Sequence, residues 1–282
     1  MILFLFTAFG FDVSDVPNVD TPQVEDVETF HSAYRSTRRR SFTYKQIKPF
    51  PIIKDKEWDG HFSAKSFLNS SDKIELSKIK KSIKNVIAAL PAEHLDVLED
   101  LEIRNRKHNS RGMGNSKKII LNTVTIDNQK ELMAVLIHEM GHVVDLGLFK
   151  GKSKRSSVFK DGKRSVKADD KSLEFYKISW YNEKTKKRDS KSSDFVSGYA
   201  KYDPFEDFAE TYLFYRLHGE KFRKLAETSS KLKRKYNFMK KMVFDNEEFQ
   251  TTKTLTNVET MKNLIFDATL LDFSNRDLIV MN

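Results

Sequence analysis

The stretch that decides the fold is LIHEMGHVVD, residues Leu136–Asp145. It contains an H-E-x-x-H pattern, in which His138 and His142 lie four positions apart. On an α-helix, side chains at this spacing project from one face, so both imidazoles can bind one metal ion. Glu139 lies one position further round, where its carboxylate can reach a water on that ion without binding the ion itself. Zinc suits this arrangement, because it accepts imidazole and carboxylate ligands and leaves a fourth position to water.

The residues around the pattern predict a helix from about residue 128 to residue 146. Asn128 followed three positions later by Glu131 is a capping-box start, and Gly147 is a suitable end. The alternative is a core helix with two incidental histidines, which leaves the acidic residues further along the chain unexplained. Apolar residues recur at helical spacing and predict one buried stripe, formed by Leu132, Val135, Leu136, Val143 and Leu146.

A catalytic zinc site needs a third protein ligand. Asp145 lies on the same helical face as the histidines, but a straight helix cannot arrange three ligands tetrahedrally round one ion. We therefore predict that Asp145 either packs in the core or supports a metal ligand from behind. The metzincin pattern is excluded, because Asp145 and Leu148 occupy the positions where that pattern has glycine and histidine.

An acidic helix start at residues 203–212 supplies a better candidate. Asp203 and Pro204 fit the N-cap and first position of a helix, which places Glu206 and Glu210 on one face. Two neighbouring carboxylates repel each other unless a cation lies nearby. We predict that Glu206 binds the zinc and that Glu210 accepts the free ring N–H of a ligand histidine. The alternative is a solvated acidic helix start, stabilised by the helix dipole.

Two signatures together carry a family resemblance. The first is HEMGHVVD at residues 138–145, and the second is Tyr199 followed seven positions later by Glu206 within EDFAE. They resemble the anthrax-lethal-factor-like zinc peptidases, a gluzincin family that includes the bacterial Pro-Pro endopeptidases. The resemblance covers roughly residues 117–245. One position departs from the pattern, because Ala200 follows the tyrosine where the family usually has glycine.

The resemblance implies a zinc-dependent endopeptidase with one Zn²⁺ per chain. It also implies a mostly helical α+β fold, a zincin-like domain with an active-site helix and a small edge-strand sheet. Peptide bonds would be hydrolysed by Glu-assisted attack of a zinc-bound water. The alternative function is a non-catalytic zinc-binding interaction module with a basic surface. The implied site comprises His138, His142 and Glu206 on the metal, Glu139 as the base, Tyr199 on the reacting carbonyl or leaving amine, and Glu210 behind a ligand histidine.

Composition narrows the class of protein further. The 282 residues suit one large or two small domains, and 39% apolar residues are enough for a core. The absence of cysteine excludes a disulfide framework and a thiolate zinc site. A formal net charge of +10 is compatible with an acidic partner surface, and nothing in the motifs favours nucleic acid. No segment has the apolar length of a transmembrane helix. The resemblance to zinc peptidases implies a protein or peptide substrate.

Three regions are predicted along the chain. Residues 1–45 are interpreted as a signal peptide and a polar basic arm, because residues 2–11 are apolar and end near the small residues Ala8 and Gly10. A signal peptide implies secretion or a cell-envelope location; the alternative is a buried N-terminal strand in a cytoplasmic protein. Residues 46–248 are predicted to form the metallopeptidase domain, with a basic insertion at about 149–195. Residues 249–282 form a C-terminal extension without an assigned role.

Smaller elements are predicted around the site. The glycines at 112 and 114 indicate a turn before a strand at residues 117–126, which we expect to border the cleft as an edge strand beside the substrate. His94 and His108 are interpreted as surface residues. The basic insertion is predicted to hold a short helix between two basic loops. Its charged residues suggest a preference for acidic side chains near the scissile bond, through Lys184, Lys186, Lys187 and Arg188.

Overall fold

The computed structural model describes residues 74, 76–105, 108–250, 266–274 and 278. The apolar run at 2–11 and the polar arm that follows lie outside the described residues. Most of the predicted C-terminal extension also lies outside them. Within the part of the chain that is described, no helix is both long and apolar enough to span a lipid bilayer.

The described chain mixes helices with small sheets, and about half of it is helical. The α-helices are α1 Leu76–Ala88, α2 Ala92–Leu95, α3 Gln129–Val143, α4 Ser172–Ser179, α5 Pro204–Ala226 and α6 Ser230–Phe238. The strands are β1 Asp100–Arg104, β2 Gly112–Gly114, β3 Lys118–Asn122, β4 Ser156–Asp161 and β5 Arg164–Lys167. Single π-helical turns follow α3 and α6, at Val144–Leu148 and Met239–Val243. Short 3-10 turns lie at Thr123–Thr125, Ser192–Asp194, Tyr199–Lys201 and Ala268–Leu270.

Helix α3 is the central element of the core. The predicted N-cap is confirmed, because the Asn128 side chain accepts the N–H of Glu131 at 3.0 Å. The Glu131 carboxylate accepts from the N–H of Asp127 at 2.7 Å, one residue before the position that a capping box uses. The prediction of a single buried stripe was wrong: every residue from Glu131 to Val143 is buried. Helix α1, the sheet and α5 all pack against α3, so it has no solvent-facing side.

The three-stranded sheet has the order β1-β3-β2. Strand β3 pairs in parallel with β1, where Leu101 lies opposite Ile119. It pairs in antiparallel fashion with β2, where Met113 lies opposite Ile120. The predicted edge strand is therefore the central strand, and it ends at Asn122. The predicted turn at 112 and 114 is instead the edge strand β2.

Helices α3 and α5 cross at a glycine. A Cβ atom added to Gly141 would lie 2.8 Å from the Cα atom of Ala209, which is closer than side chains pack. The glycine within the H-E-x-x-H segment thus allows α5 to approach the histidine-bearing face of α3. Helix α5 begins as predicted, because the Asp203 side chain accepts the N–H of Phe205 at 2.9 Å and that of Glu206 at 2.8 Å. The helix has a kink at His218 and continues beyond it to Ala226.

The basic insertion is more ordered than two loops around a helix. Its first half contains the antiparallel hairpin β4–β5, and the predicted short helix is α4. Aromatic side chains of α4 pack in the core, including Phe175 against Phe208 of α5. Two of the basic side chains that suggested an acidic substrate preference instead donate to backbone carbonyls: Lys186 to Lys201 and Lys187 to Lys177.

His94 is buried, so its interpretation as a surface residue was wrong. Its Nδ1 lies 2.9 Å from the hydroxyl of Tyr212, and its Nε2 lies 2.8 Å from the carbonyl oxygen of Val243. Burial lowers the pKa of His94 to about 4, although the bond to the Val243 carbonyl acts in the opposite direction. The folded protein therefore holds this imidazole in its neutral form at pH values where an unfolded chain would protonate it.

Because of the His94 imidazole, we expect the free energy of unfolding to fall as the pH is lowered from about 6.5 to about 4. In that window the unfolded chain binds a proton that the folded chain does not, so the free energy of unfolding should fall by about 3 kcal/mol. Urea unfolding across this range would measure the loss in the natural protein and in His94→Gln. The other titrating groups contribute equally in both proteins, so their effects cancel in the difference. If the free energy of unfolding falls with pH by the same amount in both proteins, His94 is not the titrating group.

Candidate metal centre

Three of the predicted site residues come together between α3 and α5. His138, His142 and Glu206 each offer one ligand atom, and these atoms lie within 4.8 Å of one another. The Glu206 Oε2 atom is 3.3 Å from His138 Nε2 and 3.2 Å from His142 Nε2. All three side chains are buried. The two helices and their close crossing thus produce a compact set of two nitrogens and one oxygen.

The spacing and bonding of these atoms fit a zinc ion. Ligands at zinc distances of about 2.0–2.2 Å in a tetrahedron lie roughly 3.3–3.6 Å apart, close to the two separations that Glu206 makes. Among the described residues, His142 Nε2 and Glu206 Oε2 are buried and make no hydrogen bond. Buried polar atoms without a partner are costly, and a shared cation satisfies both at once. The donor set of two imidazoles and one carboxylate is that of a catalytic zinc site.

Glu210 contacts the Nδ1 atom of His138, and its role behind a ligand histidine stays a prediction. Its Oε1 atom is 2.8 Å from His138 Nδ1. A carboxylate acceptor holds the ring proton on Nδ1, which leaves the lone pair of Nε2 directed at Glu206 and His142. The second oxygen, Oε2, accepts the Ser197 hydroxyl at 2.5 Å and the N–H of Ala268 at 2.7 Å. Glu210 is therefore held by three partners and fixes the orientation of the His138 ring.

The electrostatics of the cluster favour positive charge. Burial lowers the pKa of His138, but the neighbouring carboxylates of Glu206 and Glu210 outweigh it and raise the pKa well above its ordinary value. Burial raises the pKa of Glu206, but the two histidines bring it well below its ordinary value. Buried carboxylates on either side of the imidazoles thus stabilise a cation at this position.

Strand β2 lies directly against Glu139. A Cβ atom at Gly112 would lie 2.4 Å from Glu139 Oε1, and one at Gly114 would lie 2.8 Å from Glu139 Oε2. Only residues without a Cβ leave room for the carboxylate here. The two glycines, which the sequence indicated as a turn, therefore border the residue that follows the first histidine.

Tyr199 lies beside the cluster at the start of a 3-10 turn. Its ring centroid is 6.1 Å from that of His138, and 6.4 Å from that of Tyr202, with which it stacks at an interplanar angle of 8°. Ala200 fits the turn although the resembled family has glycine there, because the described residues with positive φ do not include it. The N–H of Ala200 donates to the Ser197 hydroxyl at 3.0 Å.

Asp145 does not join the metal cluster. It is buried and accepts a hydrogen bond from the Tyr176 hydroxyl at 2.6 Å, which agrees with the predicted packing role. Burial raises the pKa of Asp145 well above its ordinary value, although hydrogen bonds from Ser172 and Tyr176 act in the opposite direction. The hydrogen bond between Tyr176 and Asp145 thus connects helix α4 with the π-helical turn that follows α3.

A protein-family model matches the chain over residues 121–275. The description of this family reads "Putative zinc-binding metallo-peptidase", and the match spans more than half of the chain. The chain belongs to this metallo-peptidase family. No curated protein and no solved structure matches it significantly. Family membership supports zinc binding and peptide hydrolysis, and the matched region contains the whole cluster as well as the C-terminal segment at 266–274.

Two members of the metallo-peptidase site were not found from the sequence. Ser197 gives no motif signal, since a lone serine near Tyr199 has no characteristic spacing. Ala268 contributes only its backbone N–H, which no side-chain pattern can reveal. Both become apparent only through their contacts with Glu210.

Proposed function

We propose that the protein is a zinc-dependent endopeptidase of the gluzincin type, similar to the anthrax-lethal-factor-like and Pro-Pro endopeptidases. The observation that carries the proposal is the convergence of His138, His142 and Glu206 from two helices. Glu139 follows His138 in the chain and the ring of Tyr199 lies beside that of His138, and a purely structural metal site would need neither residue. Membership of the metallo-peptidase family supports the same reaction class.

His138, His142 and Glu206 would hold the metal. When bound, zinc would supply a Lewis acid that polarises the peptide carbonyl and makes water more acidic. The Glu139 carboxylate would take the proton from the attacking water and pass it to the leaving amine. The Tyr199 hydroxyl would donate a hydrogen bond to the oxyanion or to the leaving amine. Glu210 would keep the His138 ring in place throughout.

We propose that the substrate binds beside β2, and not beside the strand predicted at residues 117–126. Among the described residues, β2 is the edge strand beside Glu139, and an extended peptide could pair with its outer edge as an added strand. Backbone pairing of this kind binds a peptide without reading every side chain. Because Gly112 and Gly114 face α3, the side chain of Met113 lies on the opposite face of the strand.

The close contact between β2 and Glu139 gives a kinetic prediction. Gly112→Ala would place a methyl group against the Glu139 carboxylate and displace it. A displacement on the scale of 1 Å is expected to lower kcat about a hundredfold, while zinc content stays unchanged. Steady-state kinetics and metal analysis would measure both, with Met113→Leu in the same strand as the control. Unchanged kcat in Gly112→Ala would show that β2 does not position Glu139.

The proposed function is tested by profiling cleavage of a proteome-derived peptide library by mass spectrometry. We expect internal cleavage that a zinc chelator abolishes and that added zinc restores. Products trimmed only from one end would indicate an exopeptidase. Absence of cleavage by zinc-loaded protein would contradict the proposal.

The second candidate is a non-catalytic zinc-binding interaction module with a basic surface. The formal net charge of +10 favours it. It predicts stoichiometric zinc without peptide cleavage, and salt-sensitive binding to polyanions. The same library experiment, combined with binding to an acidic peptide at two salt concentrations, separates the two functions.

We also propose that the protein is secreted or located in the cell envelope. The support is the apolar run at residues 2–11. Cell fractionation of a C-terminally tagged protein would test the location. Full-length protein retained in the cytoplasm would contradict export.

A further inference from the structure

The C-terminal segment at residues 266–274 packs directly on the metal centre. The N–H of Ala268 donates to Glu210 Oε2 at 2.7 Å, and the carbonyl oxygen of Phe266 accepts the N–H of Tyr199 at 2.8 Å. Ala268 and Phe273 are buried in the core. Backbone groups of one short segment thus contact both the residue behind His138 and the residue proposed to bind the oxyanion.

Arg111 joins this segment to the body of the protein. Its guanidinium donates through one nitrogen to Glu131 Oε1 at 2.6 Å, and through another to the Asp267 carboxylate. Glu131 lies in the first turn of α3, and Arg111 directly precedes β2. Asp267 also accepts the N–H of Thr269 at 3.0 Å, which begins the 3-10 turn that presents the N–H of Ala268 to Glu210.

From these contacts we infer that Asp267 and the N–H of Ala268 are positioning groups for the metal centre, and that Arg111 holds them in place. The inference rests on the proposed zinc site. The N–H of Ala268 and the Ser197 hydroxyl together fix the second oxygen of Glu210, and a carboxylate that loses one of these two partners can rotate more freely beside the His138 ring. Outer partners of metal ligands typically contribute about tenfold to a hundredfold to metal affinity.

The same segment offers a matched control. Asp272 accepts a hydrogen bond from Lys130 Nζ at 2.7 Å, so it also ties the segment to the first turn of α3. Both members of that pair are largely exposed, with side-chain exposures of 50% for Asp272 and 43% for Lys130. If the substitutions only loosen the segment, Asp267→Asn and Asp272→Asn should weaken zinc binding equally. If Asp267 positions the metal centre, Asp267→Asn should weaken zinc binding and Asp272→Asn should not.

The experiment compares the zinc affinities of full-length Asp267→Asn, Asp272→Asn and Ala268→Pro with that of the natural protein. Proline fits position 268, because this residue begins a 3-10 turn and Asp267 has extended backbone at φ −109°, ψ 155°. The change removes the N–H that Glu210 accepts. Affinity is measured by competition with a chromophoric chelator, and the visible spectrum of the Co²⁺-loaded protein reports ligand geometry.

We expect Asp267→Asn and Ala268→Pro to weaken zinc binding about tenfold to a hundredfold and to shift the Co²⁺ spectrum. Asp272→Asn should stay within twofold of the natural protein, and Asp267→Glu should recover most of the affinity. Equal zinc affinity in Asp267→Asn and Asp272→Asn would overturn the inference while leaving the proposed function intact. If Ala268→Pro does not fold, the two aspartate variants decide alone. Failure of the natural protein to bind zinc would overturn both.

Discussion

Replacing Glu139 with glutamine is expected to abolish nearly all peptide cleavage while zinc binding is retained. Glutamine has almost the same shape as glutamate, so it should fit against Gly112 and Gly114. It cannot accept the proton of the attacking water. General acid–base groups contribute about a hundredfold to ten-thousandfold in rate, so we expect kcat to fall by about a thousandfold or more.

The measurement combines kcat/KM on a peptide identified by library profiling with zinc content by mass spectrometry. Glu139 is not among the three residues that cluster as metal ligands, so its replacement should not release the metal. The matched control is Glu174→Gln, which changes an exposed glutamate on α4. A Glu139→Gln variant with more than about a tenth of the natural kcat would exclude this residue as the base.

The predicted ligands could be identified from the sequence because the residues of each pair lie only four positions apart in the chain. His138 and His142 share a helical face by spacing alone, and the same holds for Glu206 and Glu210. Their meeting across the chain was inferred from chemistry, since two imidazoles and a carboxylate complete one ion's ligands. The structure brings His138, His142 and Glu206 together, and their roles as ligands stay predictions.

The errors concern contacts that no local pattern encodes. The segment Gly112–Gly114 contains no β-branched or aromatic residue, so its composition indicates a turn. It forms a strand because β3 pairs with it. Its two glycines are explained by the Glu139 carboxylate, which leaves no room for a Cβ atom at either position. Strand order follows from such pairings, which is why β3 was wrongly placed at the edge.

His94 illustrates the same limit for a single side chain. The charged residues Glu93 and Asp96 lie near it in the sequence, which favours exposure. Its actual partners, Tyr212 and Val243, are distant along the chain and are supplied by α5 and the turn after α6. A buried histidine of this kind has no sequence signature, because only the packed structure defines its surroundings.

The second prediction with a large expected effect concerns stability. Lys235 on α6 and Asp207 on α5 form an ion pair in which both side chains are fully buried. Lys235 Nζ lies 2.8 Å and 2.7 Å from the two Asp207 oxygens, and 2.9 Å from the carbonyl oxygen of Asp194. Trp180 Nε1 donates to the same carboxylate at 2.9 Å. Burial lowers the pKa of Lys235 and raises that of Asp207, so each charge depends on the other.

Lys235→Met is expected to lower the free energy of unfolding by about 3–5 kcal/mol, because it leaves a buried carboxylate without its cation. The matched control is Lys224→Met, which breaks the exposed pair with Glu220 on α5 and should cost less than about 0.5 kcal/mol. Urea unfolding of the zinc-loaded proteins would measure the free energy of unfolding of both variants.

Adding Asp207→Asn to Lys235→Met should recover part of the loss, since the remaining charge is then removed. Because Asp207 adjoins Glu206, the Lys235→Met variant should also bind zinc more weakly than Lys224→Met. A loss below about 1 kcal/mol would mean that the pair does not anchor the start of α5.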